Sequence, residues 1–204
     1  MPDSQSIKER IIVLNPTQIA VGYQQVHEKT KKLKKKSNAE LEEYLIYHQV
    51  PVIKGPHDAL FLIDHHHLCC AAHDIGIKKV YIKVVNDWSD LPNHEFWSRM
   101  QEHNYIWLYD DNGKALDIET FLHLLPKTIK DLKNDPYRSM AGVIRKLEVY
   151  KKDWTPFSEF KWANFLRDHM ELDHSKSITK FPTHQVDKAV ELATSHASYG
   201  LPGR

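Results

Sequence analysis

Residues 61–73, which read FLIDHHHLCCAAH, constrain this chain more than any other stretch. Phe61 to Ile63 is a short apolar run typical of a buried strand, and Asp64 is a residue type that favours turns and helix N-caps. Apolar residues at helical spacing follow as far as Gly76, where a helix would end. We therefore predict that a strand ends and a helix begins within residues 64–67.

The predicted junction suits an anion. The first N–H groups of a helix have no intrahelical partner, and the helix macrodipole adds partial positive charge there. Imidazoles beside these groups can donate hydrogen bonds to phosphate oxygens. We therefore predict that His65, His66 and His67 bind phosphate. Asp64, His66 and His67 are the candidate catalytic residues.

Two other interpretations of the triple histidine stay open. A surface cluster that only caps a helix would need no function. Alternatively, His65, Cys69 and His73 fall at i, i+4 and i+8 on one helical face, and imidazole with thiolate suits zinc. The chain contains no C-x-x-C or H-E-x-x-H spacing that would complete such a site, so we predict no metal centre.

Beyond this junction, several separated motifs resemble one known family. Asp64-His-His-His between a strand and a helix resembles the signature of the ParB/sulfiredoxin superfamily, in which short motifs at this junction hold nucleotide phosphates. Further stretches, in the same order, resemble the ParB-like nuclease family: Asn15-Pro-Thr-Gln-Ile-Ala-Val-Gly-Tyr, Asp135-Pro-Tyr-Arg-Ser, Phe157-Ser-Glu-Phe-Lys-Trp-Ala-Asn-Phe-Leu-Arg and Leu201-Pro-Gly. The resemblance implies the superfamily's fold far more firmly than it implies a reaction.

The hydrophobic pattern changes near residue 87. Before it, β-branched runs predict that Ile11–Leu14, Leu60–Ile63 and Val80–Val84 share one sheet, with residues 52–54 and 60–63 paired as a hairpin. After it, helical stripes dominate. We predict an α/β fold: a small ParB/sulfiredoxin-like mixed sheet with helices in residues 1–87, and a mainly helical C-terminal part, residues 88–204, packed on it. Residues 1–10 are predicted to be a loose polar start, and residues 173–182 a polar connection. Thr17 and Asp135 are predicted to cap the helices that follow them, and Pro51 indicates an edge strand or an irregular start of a strand.

Two arginines are predicted to complete the phosphate site. Arg138 and Arg145 are seven residues apart on a predicted helix and so share a face, where two guanidiniums make a good phosphate clamp. The superfamily motif usually ends in an arginine, and His67 stands in that place here. We predict that Arg138 supplies the missing charge.

Two further side chains are candidates for positioning a substrate. Related serine kinases place a glutamate near Gln18, and an amide there can orient a hydroxyl but cannot take its proton. Asp64 or Glu28 would then have to act as the base. Lys54 is predicted to lie near one end of the hairpin and is the second candidate for positioning a substrate.

Charge and cysteine usage limit the partners and the compartment. Lysine plus arginine number 28 and aspartate plus glutamate 27, so net charge gives no general drive toward nucleic acid. The lysine run at residues 29–36 is predicted to be a solvated helix face. Cys69 and Cys70 are adjacent and cannot form an ordinary bridge with each other, which favours a reducing compartment. With no apolar run long enough to span a bilayer, we predict a cytoplasmic protein without a membrane partner.

Three functions fit these observations. The first is a nucleotide-dependent phosphotransferase or nucleotide hydrolase, with Mg²⁺ carried by the nucleotide. The second is a nuclease acting on phosphodiesters, in which an imidazole is the general base or a metal ligand. The third is a binding module that holds phosphate without catalysis. The predicted partner is a nucleotide or another phosphorylated small molecule, while nucleic acid is compatible with the site but not favoured by net charge.

Overall fold

The computed structural model describes residues 7–172 and 180–204, and these form eight α-helices and seven strands. The strands are β1 (Ile7–Arg10), β2 (Leu14–Asn15), β3 (Ala20–Val21), β4 (Val50–Lys54), β5 (Leu60–Leu62), β6 (Lys79–Asp87) and β7 (Lys133–Asn134). The helices are α1 (Tyr23–Lys34), α2 (Asn38–Tyr47), α3 (His66–Asp74), α4 (Asn93–Glu102), α5 (Ile118–Leu124), α6 (Pro136–Lys146), α7 (Ser158–His169) and α8 (Thr183–Thr194). In this part of the chain, every helix is too short or too polar to cross a bilayer.

Five strands form one mixed sheet in the order β1-β6-β4-β5-β2, which confirms the predicted α/β class. The predicted hairpin is confirmed, since β4 and β5 pair antiparallel with Val52 opposite Leu62. Pro51, expected at an edge or an irregular start, instead lies in the central strand β4. Its ring is accommodated because it is the second residue of the strand and precedes a register shift at Val52 and Ile53.

The predicted first strand is wrong in its bounds. Ile7–Arg10, assigned to a loose start, is strand β1, and Ile11–Val13 is a single turn of 3₁₀ helix. Residues 1–6 of the predicted loose start lie outside the described residues, as do residues 173–179 of the predicted polar connection. The 3₁₀ turn carries the chain from one edge of the sheet to the other, because β1 pairs with β6 and β2 pairs with β5. Three residues of 3₁₀ helix rise only about 6 Å, so the two edges must curl toward each other.

Three hydrophobic clusters support this architecture, and two of them cross the predicted boundary at residue 87. The cluster of the sheet, α1 and α3 includes Ile129 and Leu132. The cluster of α4 and α5 includes Ile19 and Ile53. A third cluster joins α6, α7 and α8. The division into residues 1–87 and 88–204 stays a prediction, but the two parts share their interior.

A two-stranded parallel ribbon adds a second link between the N-terminal and C-terminal parts. Ala20 of β3 lies opposite Lys133 of β7, directly before α6. At Gly22 the first turn of α1 approaches α6 so closely that an added Cβ would lie 2.9 Å from Ser139 Oγ. The Ser139 hydroxyl accepts a hydrogen bond from Gln24 N at 3.3 Å. A glycine is therefore required where these two helices meet.

Candidate functional site

The segment after β5 turns sharply into α3. Asp64 Oδ1 accepts a hydrogen bond from His65 N at 2.6 Å, and His65 adopts a left-handed conformation with φ of 66°. His65 is the N-cap, and its side chain makes no capping bond. The helix therefore begins one residue later than a cap at Asp64 would place it, and its side-chain cap is missing.

His66 has a structural role. Its ring is buried, and Nε2 lies 3.3 Å from Thr17 N, which donates to it. Thr17 also donates from its hydroxyl to the carbonyl of Leu62 at 2.8 Å. Burial lowers the pKa of His66 to about 4 against the attraction of Asp64, so its imidazole is neutral at pH 7. The sequence motif at Asn15 and the triple histidine are thus joined through Thr17, which sequence reasoning had assigned only to capping a helix.

His65 and His67 each present an unpaired nitrogen. His65 Nδ1 and His67 Nε2 are buried and have no hydrogen-bond partner. Burial lowers the pKa of His65, with Asp64 opposing the effect. Burial and then the charge of Arg138 hold the pKa of His67 well below 6.5. Both imidazoles are therefore neutral near pH 7 in the ligand-free site.

The two predicted arginines share one carboxylate that the sequence analysis did not single out. Arg138 Nη2 lies 3.8 Å from Glu159 Oε2, and Arg145 is ion-paired with the other oxygen of Glu159. The Arg138 side chain is only 11% exposed, and its Nε has no partner. Burial lowers the pKa of this guanidinium and Glu159 opposes that effect, and an arginine stays charged in proteins.

These side chains line one cavity of about 470 Å³, which we call the phosphate cavity after the ligand that the sequence predicts for it. Its walls include, besides Ile63, Phe157 and Phe160, the following polar, charged or proline residues: Gln18, Lys29, Asp64, His65, His66, His67, Asn104, Arg138, Arg145, Lys152, Asp153, Thr155, Pro156, Ser158 and Glu159. The structure thus brings seven of the eight predicted site residues together. Four cations and three carboxylates leave one excess positive charge while the histidines are neutral.

Lys54 is the predicted residue that does not line the cavity. Its Nζ lies 2.7 Å from Asp58 Oδ1 and 3.3 Å from Asp87 Oδ2 at the far end of β4. Lys54 lies at one end of the hairpin, as predicted, but this is the end opposite to His65, since Lys54 pairs with Leu60 at the start of β5. Glu28, considered as an alternative base, is ion-paired with Lys146 outside the lining.

Several cavity residues were missed. Lys29 was assigned to a solvated face, yet it is half-buried and burial lowers the pKa of its ammonium. Ser158 Oγ is buried without a partner in the cavity wall. The motif beginning at Phe157 contained Ser158 and Glu159, so the signal was present, but helical spacing alone could not show which of its residues turn inward.

The remaining motifs meet around α6. Asp135 Oδ1 caps this helix by accepting from Tyr137 N at 2.9 Å and Arg138 N at 3.0 Å. Its other oxygen accepts from Arg167 Nη2 at 2.8 Å, so the helices α6 and α7 are joined at both ends by ion pairs. Farther along, Trp162 Nε1 donates to the carbonyl of Pro202 at 2.8 Å, which seats the Leu201-Pro-Gly motif on α7.

The zinc interpretation requires the side chains of His65, Cys69 and His73 to meet at one point. Cys69 is fully buried in the hydrophobic cluster, and burial raises the pKa of its thiol. Across residues 7–172 and 180–204, no group of three or more histidine, cysteine, aspartate or glutamate side chains is placed to hold a metal ion. In the described residues, His65, Cys69 and His73 therefore do not form a zinc site.

Fold and site together define a mixed α/β protein with a polar, cation-lined cavity where a strand passes into a helix. The chain belongs to the family described as "Putative ParB-like nuclease", which it matches over residues 7–168. It is also similar to the crystal structure of protein Atu1540 from Agrobacterium tumefaciens, with 38% sequence identity and a TM-score of 0.83, over 97% of this chain and 96% of that one. No curated protein matches the chain.

Proposed function

We propose that this protein binds a phosphate ester, either a nucleotide or another phosphorylated small molecule, in the phosphate cavity. One observation carries the proposal: four residues that line this cavity each hold a buried polar atom without a hydrogen-bond partner, namely His65 Nδ1, His67 Nε2, Arg138 Nε and Ser158 Oγ. Buried polar atoms without partners cost roughly 1–3 kcal/mol each, so four in one place point to a group that completes them. A phosphate carries enough acceptor oxygens for all four.

The charge of the cavity agrees with an anionic ligand. Arg138, Arg145, Lys29 and Lys152 line it. The N-terminus of α3, which lacks a side-chain cap, adds backbone donors and the positive end of the helix dipole. Where the ligand is a nucleotide, its Mg²⁺ would be held mainly by the nucleotide's own phosphates and by water, with Asp64 exposed nearby to accept from that water.

Phosphate binding should take up protons. A bound anion favours imidazolium, so it raises the pKa of His65 and His67 from their lowered values. The affinity should therefore increase as pH falls below about 6.5, the ordinary pKa of histidine. His66 contributes little to this change, because burial lowers its pKa to about 4.

Hydrolysis of a phosphodiester is a second candidate. It is favoured by neutral imidazole nitrogens that are free to accept a proton, beside guanidiniums that can stabilise developing charge. In this mechanism His67 would take a proton from a water that Asp64 orients, and the water oxygen would bond to phosphorus as the bond from phosphorus to the leaving oxygen breaks. The leaving oxygen would take its proton from the imidazolium of His67 or from solvent, and Arg138 would balance charge in the transition state. Without such activity the protein is a binding module.

Calorimetric titration with inorganic phosphate, AMP and ATP, with and without Mg²⁺, tests the proposal. Arg145→Gln should weaken binding by about 2 kcal/mol, on the order of thirtyfold, because it removes a charge-assisted contact. His67→Ala should weaken binding and reduce its pH dependence. Lys54→Gln is a matched control, since it removes a cation outside the cavity. No binding by the parent protein, or an equal loss in the Lys54 variant, would refute the proposal. A plasmid-nicking assay on the parent and on His67→Ala tests the second candidate.

A further inference from the structure

Trp154 lies in the loop between α6 and α7, and its side chain is 100% exposed. Its neighbours in sequence, Lys152, Asp153 and Thr155, all line the phosphate cavity. Asp153 Oδ1 accepts a hydrogen bond from Thr155 N at 3.0 Å, which closes a turn around Trp154. The loop therefore places three polar residues in the cavity wall and leaves the indole between them in solvent.

The loop rests on an aromatic cluster that does not include the indole of Trp154. Trp107 packs against Phe157 and Phe160, both with ring centroids 5.1 Å away. The guanidinium of Arg138 lies 5.2 Å from the centroid of Phe160, so this cluster also supports the phosphate-binding arginine. Core packing thus explains Phe157 and Phe160, but it does not explain an indole with both faces open to water.

We propose that the Trp154 indole stacks on the base of a nucleoside phosphate whose phosphate lies in the phosphate cavity. The inference rests on the proposed function and narrows it. Every nucleobase has a π-face, so stacking on an indole is tolerant of base identity. Trp154 is flanked by residues that line the cavity, so its Cα lies within about 7 Å of the Cα of Lys152. Sugar phosphates without a base would use the cavity but not the indole.

The ligand's nucleobase can come from a free nucleotide or from a unit of a single-stranded nucleic acid. Both offer the same chemistry, which is an aromatic ring joined through a sugar to a phosphate. A local basic contact is present in either case, because Lys152 precedes the tryptophan by two residues and lines the cavity. The sources differ in whether phosphates beyond the first add affinity, which a comparison of ligands can measure.

The test is a binding titration of four probes: inorganic phosphate, ribose 5-phosphate, AMP and a six-nucleotide single-stranded oligonucleotide. Trp154→Leu should weaken AMP binding roughly 5- to 100-fold, the range that base stacking contributes, and leave ribose 5-phosphate unchanged. Trp154→Phe should recover most of the loss because it restores a ring. Tyr199→Leu is the control, since Tyr199 is 67% exposed and does not line the cavity.

The possible outcomes separate the two proposals. If the parent protein binds none of the four probes, the proposed function fails and this inference fails with it. If the parent binds ribose 5-phosphate as tightly as AMP, or if Trp154→Leu weakens AMP no more than Tyr199→Leu does, the stacking role is overturned while phosphate binding stands. An oligonucleotide that binds more tightly than AMP, and loses affinity in Trp154→Leu, identifies the nucleic acid as the source.

Discussion

His66 should make this protein sensitive to mild acid. Its buried imidazole accepts from Thr17 N as the neutral form, and burial lowers its pKa to about 4. In the unfolded chain the same group has an ordinary pKa of 6.5. Below pH 6.5 the unfolded state therefore binds a proton at His66, whereas the folded state binds it only near pH 4. The contribution of neutral His66 to the free energy of unfolding is therefore complete above pH 6.5, and it is lost as the pH falls from 6.5 to about 4.

The size of the loss follows from the two pKa values. One pKa unit corresponds to about 1.4 kcal/mol, so the complete loss is roughly 3 kcal/mol below pH 4. At pH 5 the same linkage gives about 2 kcal/mol, and at pH 7.5 it gives close to nothing. His66→Gln offers an amide oxygen to Thr17 N without a titrating group. Its free energy of unfolding should therefore depend less on pH than that of the parent, by about 2 kcal/mol between pH 7.5 and pH 5.

Urea unfolding followed by tryptophan fluorescence, at several pH values in phosphate-free buffer, measures this difference. The fixed cost of the substitution cancels, because only the change with pH is compared between the two proteins. His94→Gln, at an exposed histidine, controls for replacing an imidazole by an amide. The reasoning would be refuted if His66→Gln lost as much stability as the parent between pH 7.5 and pH 5.

Three further predictions concern packing, charge and reactivity. Gly22→Ala should destabilise the protein by roughly 1–3 kcal/mol in urea unfolding, because the new methyl group collides with Ser139 where two helices meet. Glu159→Gln should increase the affinity for inorganic phosphate, by about fivefold in calorimetric titration, because it removes a carboxylate that competes for two guanidiniums. Cys69 and Cys70 should react with an aromatic disulfide reagent only as fast as the protein unfolds, because both thiols are buried and burial raises the pKa of each, that of Cys70 to about 12.

Each of these expectations has a contrary result. A Gly22→Ala protein as stable as the parent would mean that α1 and α6 separate at no cost. Weaker phosphate binding by Glu159→Gln would mean that the carboxylate orients the arginines and does not compete with the ligand. Rapid labelling of either thiol in the native protein would show that α3 opens without global unfolding.

The sequence predicted the strands and helices that depend on local residue patterns. The strand before Asp64, the helix after it and the capped helix at Asp135 follow from apolar spacing and cap residues, and the structure contains all three. The strand bounds near Ile11 were wrong because a β-branched run favours an extended chain, whereas residues 11–13 form a turn of 3₁₀ helix. That turn joins two strands at opposite edges of the sheet, and strand order is a property of the whole fold.

In the functional site, too, local spacing predicted some features, and others depend on contacts between distant parts of the chain. Arg138 and Arg145 were placed on one face by their spacing, and the structure places them together on Glu159. Lys29 was mistaken for a solvated lysine because helical position does not show what lies opposite a helix. Thr17 was likewise assigned to a cap, since its bond to His66 joins residues 49 positions apart. Such contacts become visible only when the chain is folded.

The parallel ribbon of β3 and β7 affects the order in which this chain can fold during synthesis. Ala20 pairs with Lys133, so the first partner leaves the ribosome more than one hundred residues before the second. In that interval the N-terminal segment also lacks Ile129 and Leu132, which complete the interior of its sheet. Partly made chains therefore expose a strand edge and an apolar surface. The native contact between α1 and α6 can form only after Ser139, which bonds to Gln24, has been translated. The rate at which this contact forms should be limited by the closure of a long loop.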